Sequence, residues 1–117
     1  MGSTVRAIDL GFGHTKFTTV NASGELRYAS FPSLALASVD PHTARPLLAP
    51  RRTVSVRVGQ LFYEVGPDVL AVGARNTPIL SVEGYTQSAD YKALMLGALN
   101  YMQADEIDVL VVGLPVS

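Results

Sequence analysis

Runs of β-branched, aromatic and other apolar residues, interrupted by turn-forming residues, predict three β-strands in the first 32 residues. The predicted strands cover residues 4–9, 15–20 and 26–32. Gly11 and Gly13 separate the first two, and a turn-forming cluster at Asn21–Gly24 separates the second from the third. Because a parallel pair needs a crossover of about a dozen residues, connections this short predict antiparallel neighbours.

The segment after the third predicted strand has no regular period. Prolines punctuate residues 33–53, which we interpret as a loop with one short helix near Ser33–Ser38. Residues 67–84 also fit no single pattern, although a short helix at Pro67–Val72 is compatible with them.

A β-hairpin is predicted between these two irregular segments. Valines alternate with polar residues along Val54–Val58, and Gly59-Gln60 suits a two-residue turn. The run Leu61–Val65 forms the returning strand, and Gly66-Pro67 ends it.

A long helix is predicted near the end of the chain. Ser88 is a good N-cap for a helix that runs to about Gln103. This helix is apolar around most of its circumference, so we expect other elements to cover it on more than one side. Gly97 lowers helix propensity by about 1 kcal/mol relative to alanine, and it therefore predicts a close backbone approach.

A final strand follows the helix. Asp105, Glu106 and Asp108 would be unfavourable at a helix C-terminus, so we place them in a solvated connector. The unbroken apolar run Ile107–Val112 then predicts a parallel strand that is buried on both faces.

The composition excludes several classes of protein. The chain has 117 residues, of which 48% are hydrophobic and 16% charged, a formal net charge of −1 and no cysteine. These values are unlike those of a disordered chain or a disulfide scaffold, and they argue against binding nucleic acid through bulk charge. No apolar run approaches the roughly 20 residues of a membrane span, and no secretory signal is present, so we expect a cytoplasmic protein without membrane contact.

The segment Asp9–Lys16, with sequence DLGFGHTK, has the strongest chemical character. A strand delivers the Asp9 carboxylate to its end, two glycines make a tight turn, and the returning strand supplies a hydroxyl and the Lys16 ammonium. Backbone N–H groups in such a turn form an anion-binding concavity. Lys16 can neutralise phosphate oxygens, and Asp9 can hold Mg²⁺ directly or through water. His14 can donate to the same phosphate.

A simple β-hairpin with a surface Asp–Lys pair explains these residues equally well. Two common phosphate-binding motifs are excluded. The glycine and Lys-Ser/Thr spacing of a P-loop is absent, and a strand rather than a helix follows the glycines, unlike a dinucleotide-binding fingerprint.

Three stretches together resemble one known family. The Asp9–Lys16 segment resembles the first phosphate loop of the actin, Hsp70 and sugar-kinase superfamily. Val56–Gly66 resembles the hairpin of the actin-like protein N-terminal domain, and Val109–Ser117, with its Gly-Leu-Pro-Val segment, resembles the strand that closes that region. Their order indicates the ParM/StbA-type actin-like ATPases of plasmid segregation, with the PRTRC system D proteins as the nearest group.

The resemblance implies an α/β fold with a mixed sheet, the ribonuclease-H-like or actin-like ATPase fold. Residues 1–32 and 85–117 would form the ribonuclease-H-like subdomain, with strand order 3-2-1-4-5 in the complete family fold. Residues 33–84 would form a small β-rich subdomain inserted between them.

The resemblance also implies a ligand, a site and partners. The family binds ATP and Mg²⁺ and polymerises into filaments, in some cases with a DNA-bound adaptor protein. Asp9 would organise the water shell of Mg²⁺. The phosphate-binding residues would be Gly11, Phe12, Gly13, His14, Thr15 and Lys16.

The later motifs of the family have no counterpart in residues 1–117. These are the second phosphate loop, the adenosine-binding segment and the acidic residue that orients the attacking water. We therefore expect an N-terminal portion of a longer ATPase, with no catalytic residue within it and no hydrolysis of its own.

The sequence also allows three alternatives to an ATPase of the ParM/StbA type. The first is another actin-superfamily protein, such as a cell-shape actin or a sugar kinase. The second is a ribonuclease-H-type nuclease, but Asp108 begins the last strand, about 16 Å from the end where its carboxylate would be needed. Glu83 and Asp90 are too loosely placed to compensate.

The third alternative is a non-enzymatic interaction module. Its candidate surface is the acid-free stretch 41–63, which carries Arg45, Arg51, Arg52 and Arg57. The same stretch also suits a solvated loop and strand face.

Overall fold

A computed structural model of the chain describes residues 4–38, 52–72 and 82–113. The strands are β1 (Val5–Leu10), β2 (His14–Val20), β3 (Leu26–Pro32), β4 (Leu36–Ser38), β5 (Val54–Val58), β6 (Leu61–Val65) and β7 (Val109–Gly113). The helices are α1 (Val82–Thr86) and α2 (Ala89–Met102), and a 3₁₀ turn covers Val69–Val72.

The first sheet has the order β3-β2-β1-β7. Strand β2 is antiparallel to both β1 and β3, whereas β7 is parallel to β1. The three predicted N-terminal strands, their antiparallel pairing and the parallel final strand are thus confirmed. In this register Asp9 lies between Lys16 of β2 and Gly113 of β7.

The second sheet has the order β4-β6-β5 and contains the predicted hairpin. The short helix predicted near Ser33–Ser38 is wrong, because Leu36–Ser38 forms β4 and pairs with β6. A helix this short has too few hydrogen bonds to offset its nucleation cost, whereas an edge strand gains ladder bonds from a hairpin already formed. The rest of the predicted loop, residues 39–51, lies outside the described residues.

The ambiguous segment 67–84 is partly described. The 3₁₀ turn at Val69–Val72 occupies the place of the short helix that Pro67–Val72 allowed. Helix α1 was not predicted, and residues 73–81 lie outside the described part of the chain.

Helix α2 lies between the two sheets and has the Ser88 N-cap that its sequence predicts. The Ser88 hydroxyl accepts a hydrogen bond from the N–H of Tyr91 at 3.1 Å, and Gln103 ends the helix in the left-handed conformation with φ 53°. The helix contacts β1 and β2 of the first sheet and β5 and β6 of the second. Its predicted coverage on more than one side is therefore confirmed.

The core is the volume between α2 and the two sheets. Phe17, Phe31 and Tyr101 form an aromatic group within it, with ring centroids 5.8–6.3 Å apart. Other buried side chains around α2 are Ile8, Leu10, Val65, Leu94, Ala98 and Met102. Strand alternation places Ile8 and Leu10 towards α2 and therefore turns Asp9 to the opposite face of the sheet.

The face of the first sheet that points away from α2 is largely uncovered by the described residues. Its exposed apolar side chains are Val5, Val20, Leu26, Tyr28, Val109 and Val111. The prediction that the last strand is buried on both faces is thus wrong for this chain. Its apolar composition suits burial, but β7 is the outermost strand of this sheet among the described residues, and Val111 is 55% exposed.

Across residues 4–38, 52–72 and 82–113, neither helix combines the length and hydrophobicity that crossing a lipid bilayer requires.

Gly97 allows α2 to approach the second sheet closely, as the sequence predicts. A Cβ atom at this position would collide with the side chain of Val65 and lie 3.7 Å from the Phe31 ring. Alanine there would raise helix propensity by about 1 kcal/mol, but overpacking a filled core costs roughly 1–3 kcal/mol.

We therefore expect Gly97→Ala to lower the free energy of unfolding, by up to about 2 kcal/mol in urea titrations. Asn100→Ala is the matched control, because Asn100 is exposed on the same helix and only propensity changes there. A Gly97→Ala protein more stable than wild type would contradict the close approach.

Candidate functional site

Asp9 and Lys16 face each other across β1 and β2 at the end of the first sheet. They are paired residues of the antiparallel ladder, so both side chains lie on the same face, and both are exposed. Within the described residues neither side chain forms a hydrogen bond or an ion pair. A carboxylate and an ammonium are thus both available to a ligand at this edge.

The turn between β1 and β2 offers backbone donors. The N–H of Gly11 donates to the carbonyl of His14 at 3.2 Å. No acceptor in the part of the chain that the structure describes takes the N–H of Phe12 or Gly13. These two N–H groups therefore complete a donor set suited to an anion beside Lys16.

Two carbonyl groups of the same turn accept hydrogen bonds from residues outside the turn. The Gly11 carbonyl accepts hydrogen bonds from the Ser33 hydroxyl at 2.8 Å and from the Tyr85 hydroxyl at 2.9 Å. The Gly13 carbonyl accepts a bond from the N–H of Ser33 at 2.9 Å. Sequence reasoning missed Ser33 and Tyr85, since no local pattern connects them to the turn.

Three of the predicted site residues have different positions around the turn. Thr15 is fully buried, and its hydroxyl bonds that of Ser33 at 2.9 Å, so only its backbone is near the exposed face. The Phe12 ring packs against Tyr85 with centroids 5.1 Å apart. His14 is exposed at the start of β2.

Gly113 lies beside Asp9 on β7 and was also missed as a site residue. A Cβ atom at Gly113 would lie 3.2 Å from Oδ1 of Asp9. The bare Cα therefore leaves room for the carboxylate over the end of β7. The sequence signal was the glycine that ends the apolar run, which indicated only the end of a strand.

The chemistry of the donors fits a magnesium–phosphate ligand. No group of three or more acidic or histidine side chains that could hold a metal ion occurs among the described residues, so Asp9 is not part of such a cluster there. Mg²⁺ keeps several waters and is commonly held by one or two carboxylates and the phosphates of its ligand. One carboxylate beside free N–H groups and an ammonium matches that requirement.

Other candidate residues lie elsewhere. Asp108 is at the opposite end of β1 and β7, where its Oδ2 accepts the N–H of Thr4 at 2.7 Å, so it is not part of this site. Arg52 is bonded to Asp68 through its backbone N–H at 2.8 Å and its guanidinium at 3.2 Å. Arg57 is exposed and donates to the carbonyl of Gly59.

The remaining candidates are two arginines and two acidic residues. Arg45, Arg51 and the side chain of Glu83 lie outside the described residues. Asp90 is in the first turn of α2, where burial raises the pKa of its carboxyl group.

Comparison with known proteins identifies the family. The sequence profile described as "Actin like proteins N terminal domain" matches residues 7–117. The chain belongs to this actin-like family. The resemblance of the three sequence stretches to actin-like proteins is thereby confirmed. A search of the curated proteins gives no match to this actin-like chain.

A solved structure supports the same fold. The crystal structure of apo psk41 parM protein superimposes with a TM-score of 0.62 at 14% sequence identity. The similarity covers 98% of this actin-like chain but 37% of the parM chain. At that identity the match establishes the fold, and the predicted mixed α/β actin-like class is confirmed.

The ionisation of Tyr85 makes the stability of the folded protein depend on pH in the alkaline range. Burial raises the pKa of its phenol, an effect that the nearby Ser33 hydroxyl partly opposes. The folded protein therefore holds the phenol proton more tightly than the unfolded chain does. The resulting stabilisation is complete below about pH 10 and is lost as the pH rises through the raised pKa.

We expect Tyr85→Phe to weaken the alkaline loss of stability. The measurement is the urea midpoint at intervals from about pH 8 to 11, a window set by the ordinary tyrosine pKa. Tyr28→Phe is the control, because Tyr28 is 83% exposed. An unchanged pH dependence in Tyr85→Phe would contradict a buried, protonated phenol at this position.

Proposed function

We propose that this chain is the N-terminal part of an actin-like ATPase and supplies one wall of its Mg²⁺–ATP site. The observation that carries the proposal is, within the described part of the chain, the group of unpaired polar groups at one edge of the first sheet. There Asp9 and Lys16 lie unpaired on one face, next to a turn whose Phe12 and Gly13 N–H groups have no acceptor among the described residues.

Each residue has a defined role in this proposal. The N–H groups of the turn and the Lys16 ammonium bind phosphate oxygens, and His14 is exposed at the start of β2, next to the turn. Asp9 holds Mg²⁺ through its water shell, over the space that Gly113 leaves. Bound Mg²⁺ would neutralise charge on the phosphates during hydrolysis.

The two sheets support a division into subdomains. In this proposal residues 1–32 and 85–117 form the ribonuclease-H-like subdomain, and residues 33–84 form the inserted small subdomain. The first sheet draws all its strands from the first set, and the second sheet draws all its strands from the inserted set. Helix α2 belongs to the first set and packs on both.

The activity itself belongs to the longer protein in this proposal. The chain spans 37% of the parM chain that shares its fold, so the opposing wall of the site would come from further residues. The complete protein would hydrolyse ATP, form filaments in the cytoplasm and act in plasmid segregation with a DNA-bound adaptor. The uncovered apolar face of the first sheet is consistent with further chain packing there.

The first experiment measures binding of Mg²⁺–ATP to the full-length protein by isothermal titration. We expect Asp9→Asn to weaken binding about tenfold or more when Mg²⁺ is present and much less when it is chelated, since one charge-assisted contact is worth roughly 1.5–3 kcal/mol. Lys16→Ala should weaken binding in both conditions, because it removes a phosphate contact rather than a metal contact.

Lys92→Ala is the matched control, because Lys92 is an exposed lysine on α2 and is not one of the proposed site residues. Wild-type protein that does not bind Mg²⁺–ATP would contradict the proposed function. Equal affinities for wild type, Asp9→Asn and Lys16→Ala would contradict this placement of the site.

A further inference from the structure

We infer that Ser33 and Tyr85 are positioning residues of the candidate phosphate site. They hold the carbonyl groups of the turn away from the ligand, and the turn therefore presents N–H groups instead. This inference rests on the proposed function. Neither residue belongs to the glycine motif, and neither side chain is expected to touch the ligand.

The geometry of the peptide unit couples the directions of its two polar groups. In a trans peptide the C=O and the following N–H point in opposite directions, and no cis peptide occurs among the described residues. Binding the Gly11 carbonyl on one side therefore points the Phe12 N–H to the other. In the same way, binding the Gly13 carbonyl fixes the direction of the His14 N–H.

Without such restraint this turn could present the wrong group. Glycine at positions 11 and 13 permits rotation of the neighbouring peptide units at little steric cost. A rotated unit would replace an N–H donor by a carbonyl oxygen, whose partial negative charge repels phosphate. Two donors on the single Gly11 carbonyl, from Ser33 at 2.8 Å and Tyr85 at 2.9 Å, oppose that rotation.

Both donors are themselves fixed by their surroundings. Ser33 is 8% exposed, bonds the Thr15 hydroxyl and also donates its backbone N–H to Gly13. Tyr85 is 7% exposed and packs between the rings of Phe12 and Tyr91, at 5.1 and 5.2 Å. Because both side chains are buried, water does not readily take over the hydrogen bond of either hydroxyl when that hydroxyl is removed.

Tyr85→Phe is the central variant, since it removes one donor and keeps the ring that packs against Phe12. Ser33→Ala removes the second donor. Tyr101→Phe is the matched control, because it also removes a buried tyrosine hydroxyl, but that hydroxyl has no hydrogen-bond partner among the described residues. Ser33→Thr keeps a hydroxyl and tests for rescue.

The first measurement is the affinity of the full-length protein for Mg²⁺–ATP. We expect Tyr85→Phe and Ser33→Ala each to weaken binding about three- to tenfold, the effect of one net hydrogen bond. The double variant should lose more than either single variant. Tyr101→Phe should bind like wild type, and Ser33→Thr should recover most of the loss caused by Ser33→Ala.

A second measurement separates positioning from general destabilisation. The amide resonance of Phe12 is followed by NMR during a titration with Mg²⁺–ATP, alongside urea unfolding of each variant. We expect the Phe12 amide to shift in wild type and in Tyr101→Phe, and to shift less in Tyr85→Phe even where the folded fraction is unchanged.

The outcomes distinguish the inference from the function on which it rests. If wild type binds Mg²⁺–ATP and Tyr85→Phe and Ser33→Ala bind equally well, the inference is wrong and the proposed function stands. If Tyr101→Phe loses as much affinity as Tyr85→Phe, the effect is not one of positioning and the inference is also wrong. If wild type does not bind, both fail.

Discussion

Burial of α2 between the two sheets is the constraint on which the rest of this structure depends. The helix packs on β1 and β2 with one side and on β5 and β6 with another, and the absence of a side chain at Gly97 permits the second contact. The same packing fixes the face that each residue of β1 occupies. Ile8 and Leu10 point into the core, so Asp9 must point to the opposite face, and a shift of one residue would exchange them.

The geometry of the candidate site is therefore fixed by the packing of the core and not by contacts between the site residues. Asp9 and Lys16 are held opposite each other by the strand register, without an ion pair between them in the described structure. The backbone of the turn is held by two hydroxyl groups that lie behind it. A site built in this way has its donors in place before the ligand arrives, which reduces the entropy lost on binding.

Features coded by neighbouring residues could be predicted from the sequence, whereas features that depend on distant partners could not. The Ser88 cap, the close approach at Gly97 and the turn between β1 and β2 follow from local chemistry, and the structure contains all three.

The hydrogen bond from Tyr85 to Gly11 joins residues 74 positions apart, and no sequence pattern near either residue predicts it. Strand β4 was mistaken for a helix because its preference is set by a partner strand, β6, that lies far along the chain. The exposure of β7 was missed for a related reason, since apolar composition does not say whether a covering element is present.

The most direct test of this account is a crystal structure of the full-length protein with Mg²⁺ and a non-hydrolysable ATP analogue. The account predicts phosphate oxygens within hydrogen-bond distance of the Phe12 N–H and the Lys16 ammonium, and a metal-bound water on the Asp9 carboxylate. A nucleotide bound elsewhere, with the turn between β1 and β2 in contact with solvent alone, would contradict it.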